Sequence, residues 1–350
     1  ILDAAAGVIA KNRLQKDKHL TTDQDRGELI RVVALPHERA EAQFIADTIK
    51  ELTRASARRA DMVVLYRTNA QSRAIEDALI EENIPYKIVG SVRFYQRREV
   101  KDILAYVRFA LNRDDLVSLK RIINVPTRGI GKQALLKYLA WHRARRDGAA
   151  LDGKSAPALV RFNEIIADLA VQASALSSVQ FLKHLIRSIR YREYLKEGEQ
   201  ADERWENVEE LVNLAQKYDE LPSPEGLQKL LEDVALMSDQ DDITPEERDL
   251  VHLMTFHAAK GLEFRIVFMV GMEEGIFPHA RALFNPAELE EERRLCYVGL
   301  TRAKEKVFLS FAQSRIHFGS IQVNPPSRFL GEIPEHLLEV AEENAAINVD

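Results

Sequence analysis

The stretch LMTFHAAKGLEFRIVFMVGMEEGIFPH, residues 253–279, holds two apolar runs, Leu253–Phe256 and Phe264–Val270, on either side of a Gly261 that follows Lys260. Runs this short and this continuously apolar predict strands buried on both faces, as in a parallel sheet covered by helices. A Gly-Lys pair beside such a strand suggests phosphate chemistry, but a phosphate loop reads GxxxxGK[ST]. The pair in this sequence is Lys-Gly, and Gly131-Lys132 is followed by Gln133 with Pro126 at the first-glycine position. With no nest of backbone N–H groups to cradle a triphosphate, the chain is not expected to hydrolyse a nucleotide by itself.

Outward from that stretch, LIRVVAL (29–35), MVVLY (62–66) and YKIVG (86–90) read as further strands alternating with helical patterns. VHLMTF (251–256), FRIVFMV (264–270) and KVFLSF (306–311) complete the set. From 91 to 247 the pattern is helix after helix, as in VQFLKHLIRSIRYREYLKEG and RWENVEELVNLAQKY, with loops containing LPSPEG and SDQDDITPEE. The expected fold is α/β, a parallel-sheet domain in two segments, 1–90 and 248–335, interrupted by an all-helical insertion at 91–247. An acidic, low-complexity tail follows at 336–350. The opening ILDAAAGVIA places Ile1, Ala4, Ala5, Val8 and Ile9 on one helical face without a capping residue before them, and reads as a chain that starts inside a helix, a piece of a longer protein.

At 350 residues, 46% apolar and 30% charged, the composition is that of a globular protein with two cores, and no apolar run reaches the ~18 residues of a membrane span. A single cysteine, Cys296, excludes an internal disulfide and a multi-cysteine metal site, and the nine histidines lack ligand spacing. Charge is uneven. Residues 113–146 hold nine Lys/Arg against two Asp/Glu, and 197–249 hold four against eighteen. The first run suits phosphates, and the plain alternative for both is a solvated helix face.

ELEEERRLCYVGLTRAKEK, 288–306, reads by periodicity as an amphipathic surface helix, with Arg293 and Arg294 paired to Glu290, Glu291 and neighbouring groups. Arg302 stands just before a buried strand, where it can be held rigidly enough to reach a phosphate across an interface. Together with LMTFHAAKGLEF, GMEEGIFPH, VVLYRTNAQSRAIEDAL and INVPTRGIG, this segment closely resembles the UvrD/PcrA/Rep family of superfamily 1 DNA helicases, in the family's motif order and over most of the chain. The resemblance implies a RecA-like domain (2A), a P-loop NTPase fold lacking the P-loop, with the helical 2B domain inserted. The Walker elements would lie in an absent N-terminal half.

What the resemblance implies about residues is specific. Glu263 would bind the nucleotide ribose, Gly261 would allow close backbone approach, and His257 would lie between the nucleotide and the bound strand. Lys260 would be solvated or would touch DNA. Arg302 would reach the γ-phosphate, an arginine-finger role worth roughly 10³–10⁵ in rate. Phe318 in SRIHFGSIQ would stack a base against domain 2A, and Arg67, Asn69, Thr255 and His279 would contact the single strand. Arg128, Gly129, Gly131 and Lys132 would grip duplex phosphates at a helix start, with a turn between core helices as the plain alternative. The implied whole is a cytoplasmic bacterial ATP-dependent DNA helicase moving 3′ to 5′ in repair or replication. It would use ATP and Mg²⁺ held mainly by the other half. Its partners would be single-stranded DNA, duplex DNA, the N-terminal helicase domains and repair or transcription proteins, with no membrane. A nucleotide-free module that binds duplex DNA or protein is the rival reading.

Overall fold

The structure is a computed structural model that describes residues 1–13, 26–143, 156–240 and 249–342. Arg145 and Arg146 of the basic run, DDITPEE (241–247) of the expected SDQDDITPEE loop with the boundary at 247 and 248, and 343–350 of the tail lie outside the described residues. The chain forms two compact units. The first comprises Ile1–Arg93, Asp241–Ile316 and Ile321–Asp350, and the second comprises Phe94–Gln240 with His317–Ser320.

The first unit is α/β. Its strands are β1 (Ile30–His37), β2 (Met62–Tyr66), β3 (Tyr86–Ile88), β4 (Val251–Thr255), β5 (Phe264–Met269), β6 (Ala303–His317), β7 (Ser320–Gln322) and β8 (Leu338–Glu342). They lie in the order β3-β4-β2-β5-β6-β1-β8, with β7 paired to β6. Every pairing along that path is parallel. The continuous apolarity of β2 follows from burial on both sides. Val63 and Leu65 join a core with Ala4, Ala5 and Val8 of the helix Leu2–Ile9 and Leu295 and Leu300 of the helix Pro286–Leu300. Val64 and Tyr66 face the opposite core, with Ile45 of the helix Glu38–Arg54 and Leu79 of the helix Ser72–Glu81.

Two details depart from the sequence reading. β6 runs fifteen residues, well past KVFLSF. Leu338–Glu342, read as low-complexity tail, pairs with β1 from Ile30↔Leu338 to Ala34↔Glu342. It escapes detection because it is an edge strand with three apolar residues in five, and its Val340 is exposed.

The second unit is helical, built from Arg98–Leu111, Leu116–Ile122, Lys132–Arg143, Ala156–Gln172, Ser178–Ser188, Tyr191–Lys196, Ala201–Ala215 and Glu225–Gln240. Arg98–Leu111 is buried almost all round, which is why its sequence is apolar on more than one face. The polar groups it takes inside are paired: Asp102 accepts from Arg121 Nε at 2.7 Å and Tyr191 Oη at 3.0 Å, and Glu99 accepts from Asn207 Nδ2 at 2.6 Å. Burial raises the Tyr191 phenol, and the Asp102 charge raises it further, so it stays a donor.

Candidate functional site

Parallel register brings the two residues expected at a nucleotide to one edge. Phe264 opens β5 and Ala303 opens β6, and the two are partners across the pair. Phe264 N donates to Arg302 O at 2.9 Å. Arg302 Nη1 donates to Leu262 O at 2.8 Å, its Nε to Val298 O at 3.1 Å and its Nη2 to Thr301 Oγ1 at 3.1 Å. Glu263 therefore stands one residue from an acceptor of Arg302, and it pairs with Lys304 Nζ at 3.2 Å across an exposed surface. Two carbonyls and a hydroxyl orient the Arg302 guanidinium without neutralising it.

Between β4 and β5 the chain must pass from the carboxyl to the amino edge in the eight residues 256–263. Phe256 and Ala259 are buried and pin this crossover, while His257, Lys260, Gly261, Leu262 and Glu263 are exposed. Gly261 has φ +89° and open space where a Cβ would lie, so the glycine is required by backbone conformation and not by a neighbour. Thr255 closes β4, and its Oγ1 accepts from Ala258 N at 3.3 Å.

At the carboxyl edge two of the expected strand-contacting residues, Arg67 and His279, are tied to one buried carboxylate. Glu292 accepts from Arg67 Nε at 2.9 Å and Nη2 at 2.7 Å, and from His279 N at 2.9 Å. Gln71 Oε1 accepts from Arg67 N and Thr68 N, both at 2.9 Å, and so shapes the turn that carries Asn69. The Arg67 charge is thus satisfied internally. At the same edge Glu273 and Glu41 bracket Arg315, with Arg315 Nε 2.8 Å from Glu273 Oε2. Burial opposes the charge of Arg315, and the two carboxylates outweigh burial and raise its pKa.

In the helical unit Gly129 and Gly131 are exposed before the helix Lys132–Arg143, with buried Ile130 anchoring the turn. Lys132 is exposed at the first position of that helix. Arg128 points inward instead. Its Nη1 donates to the carbonyls of Ile122, Ile123 and Pro126 at 3.0–3.1 Å, and its Nη2 donates to Tyr106 Oη at 2.6 Å. The carbonyls at the end of the helix Leu116–Ile122 and in the turn after it retain accepting capacity, and the guanidinium fills it. Burial pushes the Tyr106 phenol up to about 12, so it remains protonated and donates to Val125 O.

Phe318 belongs with the helical unit, against its expected place in the sheet domain, because its ring packs on Trp205 and Lys183 of that unit. Arg294 pairs with Glu291 and Glu290. Arg293 departs from its expected partners and binds Glu332 at 2.8 Å and Asn12 at 2.7 Å, buried over the Phe329 ring. Burial pushes the Cys296 thiol up and leaves it an unreactive core group.

The sequence matches the UvrD-like helicase C-terminal domain over residues 1–145 and 159–314. The chain belongs to that family. An ATP-dependent DNA helicase PcrA of Bacillus subtilis (strain 168) is 41% identical to it over 357 residues, spanning 97% of this chain and 48% of the relative. Proteins of the same name from Staphylococcus aureus (strain MRSA252) and Leuconostoc citreum are 40% identical over 355 and 362 residues, each with 97% of this chain and 48% of the relative covered. The chain spans about half the length of the curated relatives it matches.

Sequence reasoning missed Glu292 and Gln71, the two groups in this UvrD-like domain that organise the carboxyl edge. Glu292 is one of three consecutive glutamates, and only its position on the inward face of the helix Pro286–Leu300 distinguishes it. Among the described residues no group of three or more His, Cys, Asp or Glu could hold a metal ion, and no helix is long and apolar enough to cross a membrane.

Proposed function

We propose that this UvrD-like domain is the second motor half of an ATP-dependent DNA helicase that moves 3′ to 5′ along a single strand and opens duplex DNA in repair or replication. The observation that carries the proposal is Arg302, a guanidinium fixed by neutral oxygens only, one of them the carbonyl of Leu262 beside the exposed Glu263. A guanidinium held this way has its position set in advance and keeps its full charge for an external anion.

The donor set fits one side of a nucleotide. Glu263 presents carboxylate oxygens suited to ribose hydroxyls, and Gly261 leaves the crossover backbone open to approach. The sequence carries no GxxxxGK[ST] phosphate loop, so the phosphates and Mg²⁺ would fall to an N-terminal half. ATP supplies the phosphoryl group whose transfer to water drives the cycle, and Arg302 stabilises the charge that develops on it. At the carboxyl edge Asn69, Thr255 and His279 meet the single strand, with Arg67 joined to His279 through Glu292. In the helical unit Gly129, Gly131 and Lys132 meet duplex phosphates, with Arg128 as the buttress of their turn.

The test is Arg302→Ala in the full-length protein. DNA-stimulated ATP hydrolysis should fall about 10³-fold, with ATP binding retained. Turnover like that of the wild type would refute the motor assignment and favour a nucleotide-free binding module.

A further inference from the structure

Phe318 sits at the turn between β6 and β7 with φ +47°, a left-handed conformation that non-glycine residues rarely adopt, followed by Gly319 at φ +70°. Such a backbone persists only where its surroundings over-determine it. Within the helical unit, Gly319 N donates to Asn213 Oδ1 at 3.0 Å, and a Cβ on Gly319 would come within 2.9 Å of Val179. The ring of Phe318 has Lys183 Nζ 4.9 Å from its centroid and the Trp205 ring 6.0 Å away, tilted by 41°. Trp205 is itself held from two sides: its Nε1 donates to Glu209 Oε1 at 2.6 Å, and Arg192 Cζ lies 4.8 Å over its ring. Arg192, Trp205, Phe318 and Lys183 therefore form a cation–aromatic–aromatic–cation cluster in which hydrogen bonds and charge restrict the orientation of the Phe318 ring.

We infer that Trp205 is a positioning residue for Phe318, fixing the orientation of a ring that stacks on a nucleobase. This rests on the reading of Phe318 as a base-stacking residue. Of the four side chains, only Phe318 needs to contact the DNA for it to hold.

The test uses the full-length protein and a forked duplex carrying 2-aminopurine at the junction. Trp205→Leu keeps apolar volume but removes the aromatic face, and Trp205→Phe restores a smaller one. Trp205→Leu should slow unwinding about tenfold, the size of losing one base stack, and should abolish the junction fluorescence change, with Trp205→Phe recovering most of both. In a Phe318→Ala background the Trp205→Leu change should add nothing, because the tryptophan acts only through that ring. Additive losses, or a Trp205→Leu protein that unwinds like the wild type while Phe318→Ala does not, would overturn the positioning role alone. A Phe318→Ala protein with normal unwinding would overturn the stacking reading and this inference together.

Discussion

At the carboxyl edge of the sheet Arg67 and Arg315 are bound by carboxylates, whereas at the amino edge Arg302 is bound by two carbonyls and a hydroxyl. All three guanidinia are oriented, yet only Arg302 keeps its charge uncompensated. A buried ion pair holds the fold in register, and its removal leaves an unpaired charge inside. A cation fixed by neutral dipoles contributes little to folding and much to the recognition of an anion from outside. The same residue type thus serves stability at one end of the strands and chemistry at the other.

The strongest way to break this comparison is to exchange the consequences. Arg302→Ala, expected to lower DNA-stimulated turnover about 10³-fold in the full-length protein, should change unfolding free energy by no more than about 1 kcal/mol, since only hydrogen bonds to partly solvated oxygens are lost. Glu292→Ala should do the reverse. It strands the Arg67 guanidinium and the His279 N–H in a site where the glutamate side chain is only 5% exposed. The expected destabilisation is about 3 kcal/mol, read from urea unfolding. If Arg302→Ala unfolded the domain while Glu292→Ala left it stable, the division of labour between the edges would be wrong.

Two glycines sharpen the contrast at smaller cost. Gly271, in GMEEG at the carboxyl edge, has φ +67°, and a Cβ there would lie 2.2 Å from Gln71 Nε2 and 3.1 Å from Ile276 Cγ2. Gly271→Ala combines left-handed strain with overpacking, and about 2–4 kcal/mol of stability should be lost. Gly261→Ala at the crossover carries the strain alone, so about 1–2 kcal/mol is expected. Equal losses at the two positions would mean that the carboxyl edge is no more tightly packed than the amino edge.

How much of this was legible in the sequence depends on what each residue answers to. The central strands were readable because MVVLY and FRIVFM must satisfy two cores at once, a demand that few polar residues survive. The edge strand Leu338–Glu342 answers to one neighbour and to solvent, and its composition hides it. The proximity of Glu263 and Arg302 could not come from spacing, because 40 residues separate the partners of the Arg302–Leu262 bond and only the β5–β6 register joins them. Motif order supplied that pair in advance. It did not anticipate Arg128, whose neighbours Gly129 and Gly131 suggested a phosphate contact, because the carbonyls that capture its guanidinium converge only once the preceding helix has ended and the chain has turned. Arg293 was misjudged for the same kind of reason: local spacing offered Glu290 and Glu291, but the inward side of the helix offered Glu332.

The smallest effect expected concerns an ion pair that is well formed and nearly inconsequential. Arg265 and Glu305 flank the openings of β5 and β6, with Arg265 Nε 2.7 Å from Glu305 Oε1 and both side chains 45% exposed. The hydrogen bond from Arg265 holds the Glu305 carboxyl below its ordinary value of 4.5, against the opposing effect of burial. A carboxylate whose pKa is depressed on folding adds stability above its ordinary value and loses it as pH falls through the folded one, because only the unfolded chain binds the proton readily in between. At pH 7 and low salt, Glu305→Gln should therefore lower the melting temperature by about one degree. The difference from wild type should shrink as pH falls below 4.5, and salt should erase it at any pH because both partners stand in water. A loss as large as that of Glu292→Ala, persisting in high salt, would show that the amino edge too is held by its charges, and would remove the physical reason for reading Arg302 as the exception.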